Sequence, residues 1–441
     1  MDRKPAGAAP GPVVHEGADT PRYRLYVVVL LALTYMLNTA DRGILNILVP
    51  KIKQEFTLHD WQIGLLAGPM FALVYAVSSL PFATWSDRAN RRSLIAGTMI
   101  LFSAATAMCG LARSFVQLAI GRFLTGSVES ATVPAANSLI SDLYPPERRV
   151  SAIAIFSAGG SFGATFAALL GGVIAHNYGW REAFLAMGLP GIILGPLMIL
   201  TVREPQRRLS AARRAIDAAQ PLFQVMKIIF ARPAYRWMCI GNVLLFFHNA
   251  GAQAFQSLFL VQTHGLNLQQ IGSVTATLGL CGLAITLAVG KIVDRLGARD
   301  IRYFMIVPVI VALGGIPFAL VQLLSVNPWV ALVVGSGGTL FLHAYAAPLF
   351  ASAQMVVPGA MRARAIAILL LLTNLIGTGL GPPVTGLVSD LFAGSVGEAE
   401  GLRGALLAIL IFNVLAAYSF WRAARALVDD VAVARADSGE V

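Results

Sequence analysis

Twelve runs of apolar residues, each long enough to cross a bilayer as a helix, dominate this chain of 441 residues. The hydrocarbon core of a membrane is about 30 Å thick, and roughly 20 helical residues span it. A helix also satisfies its own backbone hydrogen bonds within lipid. The runs therefore predict transmembrane helices at about 25–50, 62–86, 93–112, 115–141, 149–176, 183–202, 235–261, 269–293, 301–323, 328–357, 364–390 and 402–427.

The composition agrees with an integral membrane protein, because 57% of the residues are hydrophobic and only 12% are charged. Residues 1–20 contain no apolar segment of the kind that forms the core of a signal peptide. We therefore expect residues 1–22 to be a disordered cytoplasmic tail and residues 428–441 to be a second cytoplasmic tail.

The basic residues are distributed unevenly between the loops. With the N-terminus inside, the cytoplasmic loops and tails carry 26 of the 33 Lys and Arg residues, and the external loops carry five. Cytoplasmic loops of membrane proteins are enriched in Lys and Arg, so this distribution predicts that both termini are cytoplasmic. It also accounts for the net charge of +11 without a nucleic-acid partner. Because only five of the basic residues are Lys, a bias typical of GC-rich genomes, we expect a bacterial inner membrane.

Two loop motifs occur twice, which indicates that the chain contains two related halves. The segment "ATWSDRANRRS" follows the second run and "GKIVDRLGARD" follows the eighth, so that Asp87 and Arg88 align with Asp294 and Arg295 at an offset of 207. The segments "PPERRVSAIAIF" and "PGAMRARAIAIL" follow the fourth and tenth runs at an offset of 213. The repeat predicts an all-α membrane fold of two pseudo-symmetric six-helix bundles.

The predicted bundles occupy residues 23–202 and 234–427, and a basic linker over 203–233 joins them. Within the linker, "LFQVMKIIFA" is apolar but too short to span a membrane. We expect it to lie in the cytoplasmic interface as an amphipathic helix.

The repeated loop motif resembles that of the major facilitator superfamily, which it matches through Gly290, Asp294, Arg295 and Gly297. The first copy has Ala83 and Asn90 where the family has glycines. Within the superfamily, "NTADRGILNILVPKIKQEF" followed by "QIGLLAGPMFALVYAVSSLPFATWSDRANRRS" resembles the spinster family of lipid transporters. The resemblance implies transport by alternating access, a lysolipid or sphingosine-like substrate, and a central cavity lined in part by the first and fourth spans.

Four ionisable side chains lie within two of the predicted spans. Asp41 and Arg42 are in the first, and Arg122 and Glu129 are in the fourth, seven residues apart on one helical face. A charge at the bilayer centre costs about 2.5 to 3.5 kcal/mol, so these groups are expected to meet each other. Since the adjacent residues Asp41 and Arg42 point about 100° apart, each requires a different partner. We expect a neutral cluster that faces the central cavity.

Two interpretations of this cluster are open. A fixed salt-bridge network would hold two helices in register. A carboxylate that gains or loses an Arg partner between conformations could instead carry a coupling proton, because burial favours its neutral form and a guanidinium its charged form. We favour the second, with Asp41 and Glu129 as proton-coupling residues and Arg42 and Arg122 as charge partners or anion ligands. Neutralising either acid is then expected to leave the fold near normal.

The second half carries neutral polar groups at the matching positions. The offset of 207 places Asp41 and Arg42 on His248 and Asn249, which precede Gln253 in the same span. We predict that these residues, together with Asn374 in the eleventh span, contact the substrate. For His248 the plainer alternative is a hydrogen-bonded structural histidine.

No cofactor or metal site is expected. The glycine-rich segments "GGSFGATFAALLGG" and "GTGLGPPVTG" lie inside apolar runs, where they favour helix packing over phosphate binding. The three cysteines have no metal-ligand spacing, and the chain contains no Walker sequence. The expected protein is therefore a monomeric, proton-coupled secondary transporter in the lipid bilayer, with protons and a small amphiphile as its partners. The alternatives are a proton-linked transporter of small organic anions or drugs and, more remotely, a polytopic membrane enzyme.

The repeated loops are predicted to control the cytoplasmic gate. The resemblance implies that Asp87, Arg88, Asp294 and Arg295 act in gating, and that Asp87 contacts the first turn of the eleventh span. A helix N-terminus favours an anion, so the segment 362–365 would suit the Asp87 carboxylate.

Overall fold

The computed structural model describes residues 20–86, 89–204, 222–358 and 361–438, and these residues form helices without any strand. The first half contains α1 Pro21–Phe56, α2 Asp60–Ala67, α3 Pro69–Ser86, α4 Arg91–Gly110, α5 Phe115–Glu129, α6 Thr132–Leu143, α7 Pro146–Asn177 and α8 Trp180–Thr201. The helix α9, Leu222–Ala231, coincides with the predicted amphipathic segment. The second half contains α10 Pro233–His264, α11 Leu268–Gly297, α12 Tyr303–Leu324, α13 Ala346–Met355, α14 Arg362–Leu372, α15 Gly379–Val396, α16 Glu398–Ala408 and α17 Ile411–Ser438.

Ten helices of the described part are long and apolar enough to cross a membrane. Two of the twelve predicted spans fall outside this set, namely those that contain α5 with α6 and α10. Both spans carry polar residues that were predicted to form the site, and these residues lower the mean hydropathy of the span. The all-α membrane fold predicted from the sequence is confirmed.

Several predicted spans are interrupted, and three of the interruptions are followed four residues later by a proline. A proline ring clashes with the carbonyl four residues earlier and removes one helical hydrogen bond. Pro134 follows the break at Ser130 between α5 and α6. Pro348 follows the end of a 3-10 helix, Gly337–Ala344, and Pro382 follows the end of a π-helix, Thr373–Thr378. The spans 115–141 and 328–357 were predicted to be continuous, whereas a bend was expected in the glycine-rich segment 377–386.

The last helix continues beyond the predicted boundary at residue 427. Residues 428–438 extend α17, where Val431 and Ala434 are buried. The Asp430 Oδ2 atom accepts a hydrogen bond of 2.6 Å from the backbone nitrogen of Ala234 at the start of α10. Residues 428–438, which were predicted to be part of a cytoplasmic tail, are therefore packed against α10.

Glycines allow helices to pack closely, both between the two halves and within the first half. A Cβ atom at Gly172 in α7 would lie 2.5 Å from the carbonyl oxygen of Leu268, at the start of α11. Gly159 and Gly163 in α7 pack in the same way against the backbone of α1. The prediction that the glycine-rich segment of α7 is a packing surface is confirmed.

One end of the molecule joins the halves and is called here the closed end. An apolar cluster there combines Leu48 of α1 with Phe255 of α10 and Ile271 of α11. The other two apolar clusters each belong mainly to one half. The hydrogen bonds that join described residues of different halves also lie at this end, on the segment from Asn46 in α1 to Trp61 in the first turn of α2.

Candidate functional site

The four predicted charges form two ion pairs between α1 and α5. The Arg122 Nη1 atom donates to the Asp41 Oδ2 atom at 2.8 Å. The Arg42 Nε atom donates to the Glu129 Oε2 atom at 3.1 Å. Each acid therefore binds the base of the other helix, and the structure brings together all four residues that the sequence analysis selected.

The pair of Asp41 and Arg122 is enclosed by protein. Both side chains are 2% exposed. The Thr106 hydroxyl lies 2.6 Å from Asp41 Oδ1, so both oxygens of this carboxylate have partners. Arg122 also lies over the Phe71 ring, with its Cζ 5.0 Å from the centroid. Breaking a buried pair by removing one partner costs about 3 to 5 kcal/mol. We therefore revise the expectation that neutralising Asp41 leaves the fold near normal.

The pair of Arg42 and Glu129 is open on one side. The Glu129 side chain is 0% exposed, whereas the Arg42 side chain is 34% exposed. Arg42 Nη2 donates to Asn38 Oδ1 at 3.2 Å, and its guanidinium lies 4.4 Å from the centroid of the Tyr75 ring. The Glu129 Oε1 atom is buried and has no protein partner. Asn38 was not predicted as a site residue, although its spacing of four residues from Arg42 puts both on one helical face.

Two cavities lie between the halves, and a third lies within the second half. One cavity of about 160 Å³ is lined by Arg42, Arg122, Gln253 and Asn374. A second of about 280 Å³ contacts α7 and α11, and a third of about 80 Å³ lies against His248 and Asn249. Gln253 lines all three.

Of the predicted substrate residues of the second half, Gln253 and Asn374 line the same cavity as Arg42, whereas His248 and Asn249 line the third cavity. Asp41 and Glu129 are absent from the lining of these cavities and lie behind the two arginines. Arg42, which is 34% exposed, is thus the charged group that the cavity wall presents, while Arg122 lies in the wall with 2% of its side chain exposed.

The third cavity contains polar atoms without protein partners. His248 Nδ1 and Asn413 Oδ1 are both buried and unpaired. Gln256 Nε2 and Gln322 Nε2 donate to the Ser336 hydroxyl at 2.8 and 3.1 Å. Asn413, Gln322 and Ser336 were not predicted, because isolated polar residues in apolar spans carry no local signal of which face they occupy. The cavity can receive a ligand group that forms hydrogen bonds.

The closed end is held by a buried polar contact, which we call the α2–α15 latch. Asp60 Oδ1 accepts from Lys53 Nζ at 2.7 Å, and Asp60 Oδ2 accepts from the Ser389 hydroxyl at 2.6 Å. The Asp390 carboxylate accepts the backbone N–H groups of Asp60 and Trp61 at 3.0 and 2.9 Å. It therefore caps the N-terminus of α2 from the other half of the molecule.

The predicted gating loops are only partly described. Asp87 and Arg88 lie outside the described residues, as does the predicted contact of Asp87 with the first turn of α14. Asp294 and Arg295 lie in the last turns of α11, and the side chain of Asp294 is outside the described part. The gating role of these four residues stays a prediction.

Comparison with known proteins assigns the chain to a family. The model of the Major Facilitator Superfamily matches residues 31–382, which is most of the chain, so the protein belongs to this superfamily. Over 93% of its length the chain is 28% identical to an MFS-type efflux pump of Mycolicibacterium smegmatis, of which it covers 94%. It is 27% identical to the hexuronate transporter of Bacillus subtilis, over 86% of this chain and 92% of the relative. The protein is a multi-pass membrane transporter and not an enzyme.

Two crystal structures specify which members of the superfamily this chain resembles. Both are of a bacterial homologue of the human lysosomal transporter spinster, in inward-facing conformations. The unoccupied form matches with a TM-score of 0.84 and 28% identity, and the occupied form with a TM-score of 0.81 and 29% identity. Each match covers 93% of this chain and 99% of the other. The resemblance to spinster predicted from α1 to α3 is thus shown for the whole fold.

Proposed function

We propose that the protein is a proton-coupled secondary transporter that moves an amphiphilic, lipid-like substrate by alternating access and acts as a monomer. The observation that carries this proposal is the position of Arg42. Its guanidinium binds a fully buried carboxylate on one side and is exposed to the central cavity on the other. One cation can therefore serve either Glu129 or an anionic group of the substrate.

Competition for Arg42 couples the substrate to a proton. When an anion binds Arg42, Glu129 loses its partner and would be left as an unpaired buried charge, which costs several kcal/mol. A proton on Glu129 removes this charge, so that the anion and the proton bind together. Asp41 retains Arg122 meanwhile and takes up a proton only in a conformation that separates this second pair.

Alternating access is supported by the asymmetry between the two ends. The α2–α15 latch and an apolar cluster join the halves at the closed end. We infer that this end faces outward and that both termini are in the cytoplasm of a bacterium, as the distribution of basic residues predicts. The similarity to inward-facing structures of a spinster homologue agrees with this orientation.

An amphiphilic substrate suits the character of the cavity walls. Near Arg42 the lining includes Leu45, Phe71 and Ala250, which offer apolar surface beside the cation. A lysophospholipid has an anionic phosphate for Arg42 and an acyl chain for the apolar wall. A sphingosine-like molecule has an ammonium head, so its hydroxyl groups would bind His248 instead. The spinster resemblance supports this class of substrate.

A small organic anion is the second possibility. Relatives of this chain are named as transporters of hexuronate, of galactarate and D-glucarate, and of benzoate. A carboxylate binds a guanidinium as well as a phosphate does, so Arg42 suits both classes of substrate.

A binding and transport experiment tests the proposal and separates the two classes. The purified protein is incubated with bacterial lipids and metabolites, and the retained ligands are identified by mass spectrometry. Transport of a radiolabelled lysophospholipid, of glucuronate and of benzoate is then measured in proteoliposomes after a step in pH. We expect accumulation of the lysophospholipid, and its loss in Arg42→Gln but not in the control Arg181→Gln, whose arginine is paired with Glu55 outside the cavity. Accumulation that does not respond to the pH step would refute proton coupling.

A further inference from the structure

A cluster outside the central cavity joins two arginines of α17 to three aromatic rings. The guanidinium of Arg422 lies 4.9 Å from the centroid of the Trp237 ring, and that of Arg425 lies 5.0 Å from the centroid of Trp421. Tyr418 packs edge-on against Trp237, and its hydroxyl is 2.9 Å from Arg422 Nη1. We call these five residues the Arg422 site.

The two arginines have no acidic partner among the residues that the structure describes. The nearest acids along α17 are Asp429 and Asp430. Asp430 is turned toward α10, where it caps Ala234, and Asp429 forms no ion pair with Arg425. A guanidinium has five N–H donors, and stacking on a ring leaves them available at its edge. Among the described residues, the side-chain hydrogen bond of this site is the one from Arg422 to the Tyr418 hydroxyl, so most of its cationic donors are available to a ligand.

The position of the site suggests what the donors bind. A surface groove is lined by Pro233, Trp237, Arg422 and Arg425, and Pro233 begins α10, so the groove lies at the end of a span. Trp and Tyr are enriched at this level of a membrane, where lipid head groups begin. Toward the membrane centre, the same face of α17 continues with exposed apolar residues, namely Ile411, Val414 and Leu415.

We propose that the Arg422 site binds an anionic phospholipid. The two guanidinium groups bind its phosphate, and one acyl chain lies along the exposed apolar residues of α17. Arginine suits phosphate because its planar donors bind two oxygens at once. The aromatic rings hold the guanidinium groups in place and exclude other partners. A lipid in this groove contacts both α10 and α17, and it is a separate ligand from the transported substrate.

The short helix α9 also carries positive charge that can attract anionic lipid head groups to the second half. It packs through Val225 and Ile229 into the apolar cluster that also contains Tyr235 of α10. Lys227 is exposed on it, between the exposed apolar residues Met226 and Ile228. Such an arrangement is typical of a helix lying in a bilayer interface. Its lysine adds positive charge for anionic head groups near the start of α10.

Lipid binding is measured by native mass spectrometry of the purified protein with added phosphatidylglycerol. The double variant Arg422→Gln, Arg425→Gln is compared with the control Arg181→Gln, Arg403→Gln, which removes the same charge from arginines paired with glutamates. We expect roughly 30-fold weaker phosphatidylglycerol binding in the first variant only, from about 1 kcal/mol for each arginine near the surface. Phosphatidylcholine has the same phosphate but a cationic choline, so we expect it to bind wild type more weakly than phosphatidylglycerol does and to lose less affinity in the glutamine variant.

One further variant and one competition measurement complete the test. The variant Arg422→Lys, Arg425→Lys keeps the charge but loses the planar fork, and we expect it to bind phosphatidylglycerol more weakly than wild type. Inorganic phosphate at millimolar concentration is expected not to displace the lipid. Equal phosphatidylglycerol binding by wild type and the glutamine variant would overturn the proposal, and displacement by inorganic phosphate would assign the site to the free ion instead.

Discussion

Neutralising Asp390 is expected to open the closed end of the molecule. Its carboxylate accepts two backbone N–H groups from the N-terminus of α2, at 3.0 and 2.9 Å. In Asp390→Asn the amide can accept only one of them and presents its own N–H₂ group to the other. A hydrogen bond to a charged group contributes about 1.5 to 3 kcal/mol, and each 1.4 kcal/mol is a factor of ten. We therefore expect the ratio of open to closed molecules at this end to rise roughly 10- to 100-fold.

Spin labels on the two halves measure this change directly. Cysteines at the exposed positions Gln54 and Val396 place one label on each side of the α2–α15 latch, after the exposed Cys281 has been replaced by serine. Distances between the labels are measured by pulsed electron paramagnetic resonance. We expect a longer component in Asp390→Asn than in the unsubstituted background.

The matched control for this measurement is Glu400→Gln. Glu400 is an acid of the same end, but its partner Arg403 is three residues away in the same helix. Its neutralisation should leave the label distances unchanged. An unchanged distribution in Asp390→Asn, with normal folding, would refute the role of the latch.

The remaining predictions concern single residues. Asp41→Asn is expected to lower the melting temperature markedly, because Arg122 is 2% exposed and would lose its only ion-pair partner among the described residues; an unchanged melting temperature would contradict this. His248→Gln is expected to retain the pH dependence of transport, and a flat profile would make His248 the proton carrier. Asp87→Asn is expected to favour the inward-open conformation without unfolding, measured as longer label distances between the ends of the halves opposite the latch.

The pairing of charges could be predicted from the sequence, because helix geometry gives the depth of each charge and the family resemblance implies that the first and fourth spans both line the central cavity. Asp41 and Arg122 lie in spans of opposite direction at similar depth, and the cost of an unpaired charge in a membrane leaves few alternatives. The difference between the two pairs could not be predicted in this way. It depends on α3, whose Phe71 and Tyr75 stack on the guanidinium groups and leave one side of Arg42 open to the cavity.

Proline is a local sequence signal for the helix interruptions, whereas no local signal in the sequence predicts the α2–α15 latch. Pro134 and Pro382 each follow a break by four residues, a spacing at which the proline ring disfavours a continuous helix, although Pro190 and Pro196 lie inside the unbroken α8. Asp60 and Ser389 are 329 residues apart, and their contact depends on how the halves dock. Gly386 reveals its role only in the folded chain, where its Cα lies against the backbone of Asp60 and leaves no room for a side chain.

The central claim is that Glu129 carries the coupling proton while Arg42 holds the anionic group. Proton movement is measured with a pH-sensitive dye in proteoliposomes, after addition of the ligand that the transport assay identifies. Glu129→Gln is compared with wild type and with Glu55→Gln, whose carboxylate pairs with Arg181 outside the cavity. The account predicts that Glu129→Gln folds normally and binds the ligand, because Arg42 remains open to the cavity, but that ligand addition moves no protons. Ligand-driven proton movement equal to that of wild type would contradict it.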